Sequence, residues 1–484
     1  MCIKFLSKKI IQFNCLTKKI FVSSMKDNRD ALDYGQTKIP VLFGKLFIPT
    51  LLGLISGVAL NLADGIFVGR GVGSDALAAI NIAAPLFQIA MGVALMFGSG
   101  VSVVASVHLS KGNHKAANIN VTQAFSITML VLLVIILLIN IFPHSVNNLF
   151  GGSDQLYPFV YDYLVGVSGA LFFIAINMVG VFVIRLDGSP NYAMVVNVLG
   201  ALLNILLDWL FVFPFQMGIF GAGLATSIAS GVSSLLVIYY FVKKNKTIHL
   251  YKPKFSPTAI ALTLRNCGYM LRLGFPTFIA ETAICCMMVT GNYVFMHYLH
   301  EDGVAAFSVA CYLFPMIFMI GNAIAQSSLP IVSYNNGLGS KQRIRETLKL
   351  SLMLATILGL FMSVFGYLFA PQLVDLFIDS TSTARPLADN GVPLFLLTCL
   401  PFTLNIVLIG YLQSLEKYRP AITFMLLRGY ILVIPCFVLL PIVFGIKGLW
   451  IAEPVSESIT FLSFVIFIIY SNRKRKTTDK TLKD

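Results

Sequence analysis

Residues 190–230 read PNYAMVVNVLGALLNILLDWLFVFPFQMGIFGAGLATSIAS. Two apolar runs, about 190–213 and 218–242, flank the turn FPFQMG, and each supplies the roughly 20 residues that a helix needs to cross a bilayer. Inside them stand an amide, a carboxylate and a hydroxyl: Asn204, Asp208 and Thr226. The run NILLD sets Asn204 and Asp208 at i and i+4, on one helical face. An ionisable group in hydrocarbon is costly and normally faces a partner or a water-filled path. The stretch therefore predicts a pair of membrane helices with a working site built into it.

The rest of the chain repeats the pattern. Its 484 residues are 57% hydrophobic and only 12% charged, where a soluble protein carries roughly a quarter charged residues. Ten further apolar segments are long enough to span, at about 41–62, 77–105, 119–142, 159–184, 270–298, 304–332, 346–370, 386–411, 419–443 and 447–470. The expected fold is an all-α polytopic membrane protein with twelve transmembrane helices. A net charge of +14 would suit nucleic acid, but its distribution excludes that reading. With both termini inside, thirty Lys and Arg fall on the cytoplasmic side, against Arg70, Arg385 and Lys447 outside. That asymmetry is the positive-inside rule, so both termini are expected in the cytoplasm and the protein in the cell membrane.

The first and second halves resemble each other at an offset of about 230 residues. Pro49, Pro85 and Pro190 answer Pro276, Pro315 and Pro420, and GIFGAGLATSIAS answers GIKGLWIAEPVSE, which aligns Thr226 with Glu453. Six spans per repeat enter the bilayer in one orientation, so the two bundles should be related by a pseudo-two-fold axis along the membrane normal. The expected division is a cytoplasmic segment 1–38, a first bundle 39–242, a linker 243–269, a second bundle 270–470 and a basic tail 471–484. Residues 1–24 form a poor secretory signal, and Met25 is an alternative start. Eight scattered cysteines form no CxxC pair with a matching partner and six histidines show no HxxxH spacing, which predicts neither a disulfide framework nor a zinc site.

Helical rise places the polar residues in depth. Asp208 lies about 27 Å past Pro190, and Asp64 about 28 Å past Lys45. Thr226 lies about 12 Å inward from Gly218, and Asn204 one turn deeper than Asp208. Four oxygen-bearing side chains from spans 1, 5 and 6 thus fall in the outer half of the first bundle. Such a set suits a hard cation such as Na⁺, and it equally suits a proton. In the second half, Glu281, Glu453 and Glu457 are candidates to line a substrate cavity. Arg428 with Glu457 is expected to form a structural ion pair holding spans 11 and 12 together.

With NLADGIFVGRGVGSDALAAINIAAP (61–85), RLDGSPNYAM running to ATSIAS (185–230) and GNAIAQSSLPIVSYNNG (321–337), the chain resembles the multidrug and toxic compound extrusion (MATE) transporters over residues 39–470. The resemblance implies two six-helix bundles, a central cavity, and export of organic cations in exchange for Na⁺ or H⁺. It maps the family's first-bundle cation site onto Asp64, Asn204, Asp208 and Thr226. A carboxylate that some members carry in span 7 corresponds to Glu281. The acid that some carry in span 10 has no counterpart within 386–411 beyond Asp389, near the outer end.

The expected function is cation-coupled efflux of amphipathic, often cationic drugs by a monomer among membrane lipids, with no cofactor beyond the coupling ion. A lipid-linked precursor flippase is the alternative, but it would need a strongly cationic cavity for pyrophosphate. An enzyme is not expected, because no GxSxG or HExxH motif is present. Na⁺ and H⁺ use the same oxygen ligands, and the sequence does not choose between them.

Overall fold

A computed structural model describes residues 32–150, 154, 156–252, 256–378 and 382–481. Most of the 1–38 segment, including the Met1 or Met25 start, lies outside the described residues. Among those described, eleven helices are long and apolar enough to cross a membrane. One of them, Pro257–Gly337, is 81 residues long and breaks at His300, whose φ of 54° and ψ of −148° are non-helical. It therefore contributes two spans, and the described residues hold twelve.

The first bundle comprises α1 (Ile39–Gly71), α2 (Ser74–Ser110), α3 (His114–Ile141), α4 (Tyr157–Leu186), α5 (Pro190–Val212) and α6 (Gly218–Lys244). The second comprises α7 (257–299), α8 (301–337), α9 (Lys341–Leu368), α10 (Arg385–Ser414), α11 (Tyr418–Phe444) and α12 (Ile446–Thr481). Within the first bundle α1 packs on α5, and α4 on both α2 and α6. Proline at the first helical turn starts α4 and α5, where a missing N–H costs nothing. The exposed Leu133, Val134, Leu137, Leu138 and Ile141 of α3 form an apolar stripe that only lipid would solvate without penalty.

Backbone geometry carries the internal repeat more strongly than side chains do. Positive φ occurs at Gly73, Gly112, Gly188 and Gly218, and again at His300, Gly339, Glu416 and Gly445, each 227 or 228 residues later. The turns match bond for bond. Gly112 and Asn113 donate to Leu109 and His108, as Gly339 and Ser340 donate to Asn336 and Asn335. The second bundle thus places His and Glu where the first has glycine.

His300 occupies a region of backbone space that is essentially glycine's, at a cost of about 1–3 kcal/mol. His300→Gly is expected to raise stability by about 1 kcal/mol once glycine's own chain entropy is deducted. Thermal unfolding of the purified protein in detergent measures this, and an unchanged or lower midpoint would refute it.

Several expected boundaries move. The first span extends to Gly71, which puts Arg70 in the last helical turn and not in a loop. The chain is already helical from Pro257, so the second half of the joining segment is helix. Asp187 ties that segment down: its carboxylate accepts the backbone N–H groups of Lys246, Thr247 and Ile248 at 2.8, 2.8 and 3.1 Å, and the Tyr240 hydroxyl at 2.8 Å.

The bundles meet along α2 and α7, on the half of the membrane nearer the chain ends. A Cβ on Gly100 would collide with the Met270 carbonyl, and one on Gly274 with the Met96 carbonyl. Two backbones in such contact leave no room for a passage. Around the seam, Ser99 and Thr277 share a hydrogen bond of 3.0 Å, and the Gln413 amide donates to both at 3.2 Å. Closer to the terminus face, the Tyr34 hydroxyl donates to the Arg185 carbonyl at 2.6 Å, and Arg185 reaches across to Gln326 at 2.8 Å. Leu42 and Leu46 of α1 pack with Ile324 and Ile331 of α8 in the same layer. The structure is closed on the face where α1 begins.

Candidate cation site

Asp208 is fully buried and Asn204 nearly so, and the amide of Asn204 donates to Asp208 Oδ2 at 2.6 Å. The i and i+4 spacing on α5 makes that bond local. What brings Asp64 to it is the packing of α1 on α5, where glycine lets the helices approach. Gly53 lies against Asn197, its ideal Cβ only 3.0 Å from the amide nitrogen, and Gly71 sits directly on Val212. The Asp64 carboxyl is thereby brought beside that of Asp208, close enough for each to act on the other.

That contact has a chemical requirement. An ionised carboxylate only accepts hydrogen bonds, so two carboxyls bond directly only with a proton between them. A cation in the gap would serve equally. Oδ1 of Asp64 and Oδ1 of Asp208 are both buried without a hydrogen-bond partner. Buried polar atoms are normally satisfied, and a pair of orphaned carboxylate oxygens facing one cluster calls for a positive guest.

Of the four residues expected in this site, the structure brings three together. Thr226 is half-buried on α6, and its hydroxyl is spent on the Ala222 carbonyl of its own helix at 3.1 Å. No bond among those described ties it to Asp64, Asn204 or Asp208. Tyr163 of α4, which sequence reasoning missed, lies within electrostatic reach of both aspartates. Nothing in its spacing distinguishes it from the other tyrosines of the spans.

The second-bundle candidates separate into two places. Glu281 is buried on α7 at the seam and accepts from Gln88 of α2 at 3.3 Å, so it has a partner that the sequence did not reveal. Arg428 and Glu457 form an ion pair at 2.6 Å, with side-chain exposures of 4% and 0%. Arg428 also stacks on Phe402, 4.2 Å from the ring centre. Asn405 of α10, another missed residue, donates to Glu457 Oε2 at 2.7 Å. A search restricted to acids in span 10 passes over it. Asp389 is bound to Arg385 at 2.9 Å and takes no part.

Comparison with known proteins gives the same outline. The MatE family model matches residues 49–210 and 276–439, one stretch in each bundle. The chain is 26% identical over 440 residues to a protein of Staphylococcus saprophyticus named multidrug export protein MepA, covering 90% of this chain and 94% of that one. It is 25% identical over 421 residues to a Shewanella oneidensis protein named FAD transporter, covering 85% and 90%. A solved outward-facing multidrug resistance MATE family transporter superposes with a TM-score of 0.80 at 22% identity, covering 91% and 96%. At that identity the superposition speaks for the fold.

Proposed function

We propose that this chain, which belongs to the MatE family, is a secondary active multidrug exporter that takes up Na⁺ or H⁺ at Asp64 and Asp208 as it releases drug. One observation carries the reading: the adjoining carboxyls of Asp64 and Asp208 each have a buried oxygen that no protein donor satisfies. Such a pair gains and loses a single positive charge at small structural cost, which is what an exchanging carrier needs. The names of the aligned relatives, a multidrug export protein among them, support the cargo class.

The expected cargo is amphipathic and often cationic. Glu281 faces the seam between the bundles, where a carboxylate attracts a cation and repels the pyrophosphate of a lipid-linked precursor. The face closed by α2 and α7 is read as cytoplasmic, because the Lys and Arg excess lies on the chain-end side. The conformation is then the one closed to the cell interior, with the exchange site in the bundle half beyond the seal.

Everted vesicles separate the two coupling ions. Expressed protein should accumulate a cationic dye when a Na⁺ gradient or a pH gradient is imposed alone, and the gradient that works identifies the ion. Collapsing it should stop accumulation. Dye uptake indifferent to both gradients would remove coupled exchange as the mechanism.

A further inference from the structure

A third carboxyl with an unsatisfied buried oxygen lies in the other bundle. Glu453 of α12 is 2% exposed, and its Oε2 has no hydrogen-bond donor. It borders a cavity of about 10 Å³ between α7, α8, α11 and α12, with Ala283, Met287, Phe314, Arg428 and Val433 among the lining residues. That is room for about one water-sized guest. Arg428 stands at the same cavity but is committed elsewhere: Nε and Nη2 both hold Glu457 Oε1, at 2.8 and 2.6 Å, and Asn405 holds Oε2. The cluster contains two acids and one base, and the base is already matched.

The other groups in reach do not restore the balance. Cys286 of α7, Cys311 of α8 and Cys436 of α11 are the titratable side chains that sense the Glu453 charge from neighbouring helices, besides Arg428 and Glu457. A bare carboxylate in that setting would be an uncompensated buried charge. A metal cation is a poor remedy. Apart from Glu453 the lining side chains offer no oxygen, and a guanidinium sits at the cavity wall, whereas hard cations require several oxygen ligands.

We propose that this cavity is a second exchange site, at which the Glu453 carboxyl binds and releases one proton. The proton forms an O–H bond on the Glu453 carboxylate, delivered from water in the cavity, and returns to water there on release. The local backbone supports the assignment. Arg428 lies in a π-helical turn, Leu427–Ile431, whose Gly429 is pressed on Ala283 with an ideal Cβ separation of 2.6 Å. Such turns interrupt α-helices at functional sites and admit a shift of register. When Glu453 is ionised, Arg428 is shared between two acids one turn apart on α12; when it is protonated, Arg428 belongs to Glu457 alone. The proton thereby sets the tie between α11 and α12.

The inference deepens the exporter reading and rests on it only for the use made of the proton. Infrared difference spectra of the purified full-length protein, recorded between acid and alkaline pH in Na⁺-free buffer, read protonated carboxyls directly. A buried carboxylic C=O component is expected that disappears at high pH, survives in Asp208→Asn and is absent from Glu453→Gln. Glu457→Gln should also remove it, because Arg428 then pairs with Glu453 and keeps it ionised. Glu453→Asp should retain it at a displaced frequency, which covers the case of a Gln variant that does not fold. A Glu453→Gln spectrum superimposable on the wild type, or a Glu453 band that persists at every pH, would overturn the proposal. Failure of dye transport to follow either gradient would leave this band in place, so the two readings fail separately.

Discussion

Asp208→Asn is expected to abolish gradient-driven export while the protein still reaches the membrane and elutes as a single species. The substituted amide has nearly the same volume, so neither the packing of α5 nor its contact with α1 changes. Removing a buried acid whose Oδ1 is unsatisfied also costs little in stability. What is lost is the group that carries charge. A hydrogen bond to an ionised partner is worth about 1.5–3 kcal/mol, so by the same scale the coupling ion should bind roughly 10- to 150-fold more weakly. An amide also cannot share a proton with Asp64. Drug resistance of cells and dye accumulation in everted vesicles should both fall to the background of empty membranes. Asp64→Asn should behave alike, since either aspartate alone lacks the carboxyl–carboxyl contact. Thr226→Ala should be far milder, because its hydroxyl serves its own helix. Full transport by Asp208→Asn would end the site assignment, and equal loss in Thr226→Ala would mean that α6 contributes more than its hydrogen bonding implies.

The parts of this architecture that are set by the solvent were readable from residues. A span is a length and a composition, and spans 5 and 6 fall within a few residues of where periodicity and turn chemistry put them. Asn204 and Asp208 were readable because i and i+4 on one helix is a local geometry. Asp64 was within reach of depth arithmetic alone. Residues joined only by packing were not. Gln88 gives no sign in its apolar surroundings that it meets Glu281 across 193 positions. Asn405 reads as an ordinary amide of span 10 until Glu457 is placed beside it. The repeat was legible in prolines, yet its firmest trace is dihedral: His300 and Glu416 carry a positive φ where Gly73 and Gly188 carry one in the first bundle, so residue identity had erased it.

Glycine shows the same limit with a larger consequence. Gly100 sits among several glycines of the first spans and Gly274 directly before FPTF, and both look like ordinary membrane-helix composition. In three dimensions each faces a carbonyl of the opposite helix, Met270 for one and Met96 for the other. Gly274→Val should therefore act as a wedge. A Val side chain meets backbone, which cannot rotate away, so α7 must move off α2 or the closed state must be abandoned. Overpacking typically costs about 1–3 kcal/mol. If only the closed state has this contact, its population relative to the open state falls by about 5- to 150-fold. Cys267, buried in the same seam with Met270 and Leu273, reports the change. With the other cysteines replaced, its thiol should react with a maleimide far faster in Gly274→Val than in the parent. Export should be lost while the carboxyl cluster of the first bundle still binds its ion, since Gly274 lies on a different helix from all three of its residues. That combination separates a gate defect from a site defect: Asp208→Asn keeps the seam closed and loses the ion, whereas Gly274→Val keeps the ion and loses the seam. Unaltered Cys267 labelling with normal export would show that the bundles seal somewhere other than along α2 and α7.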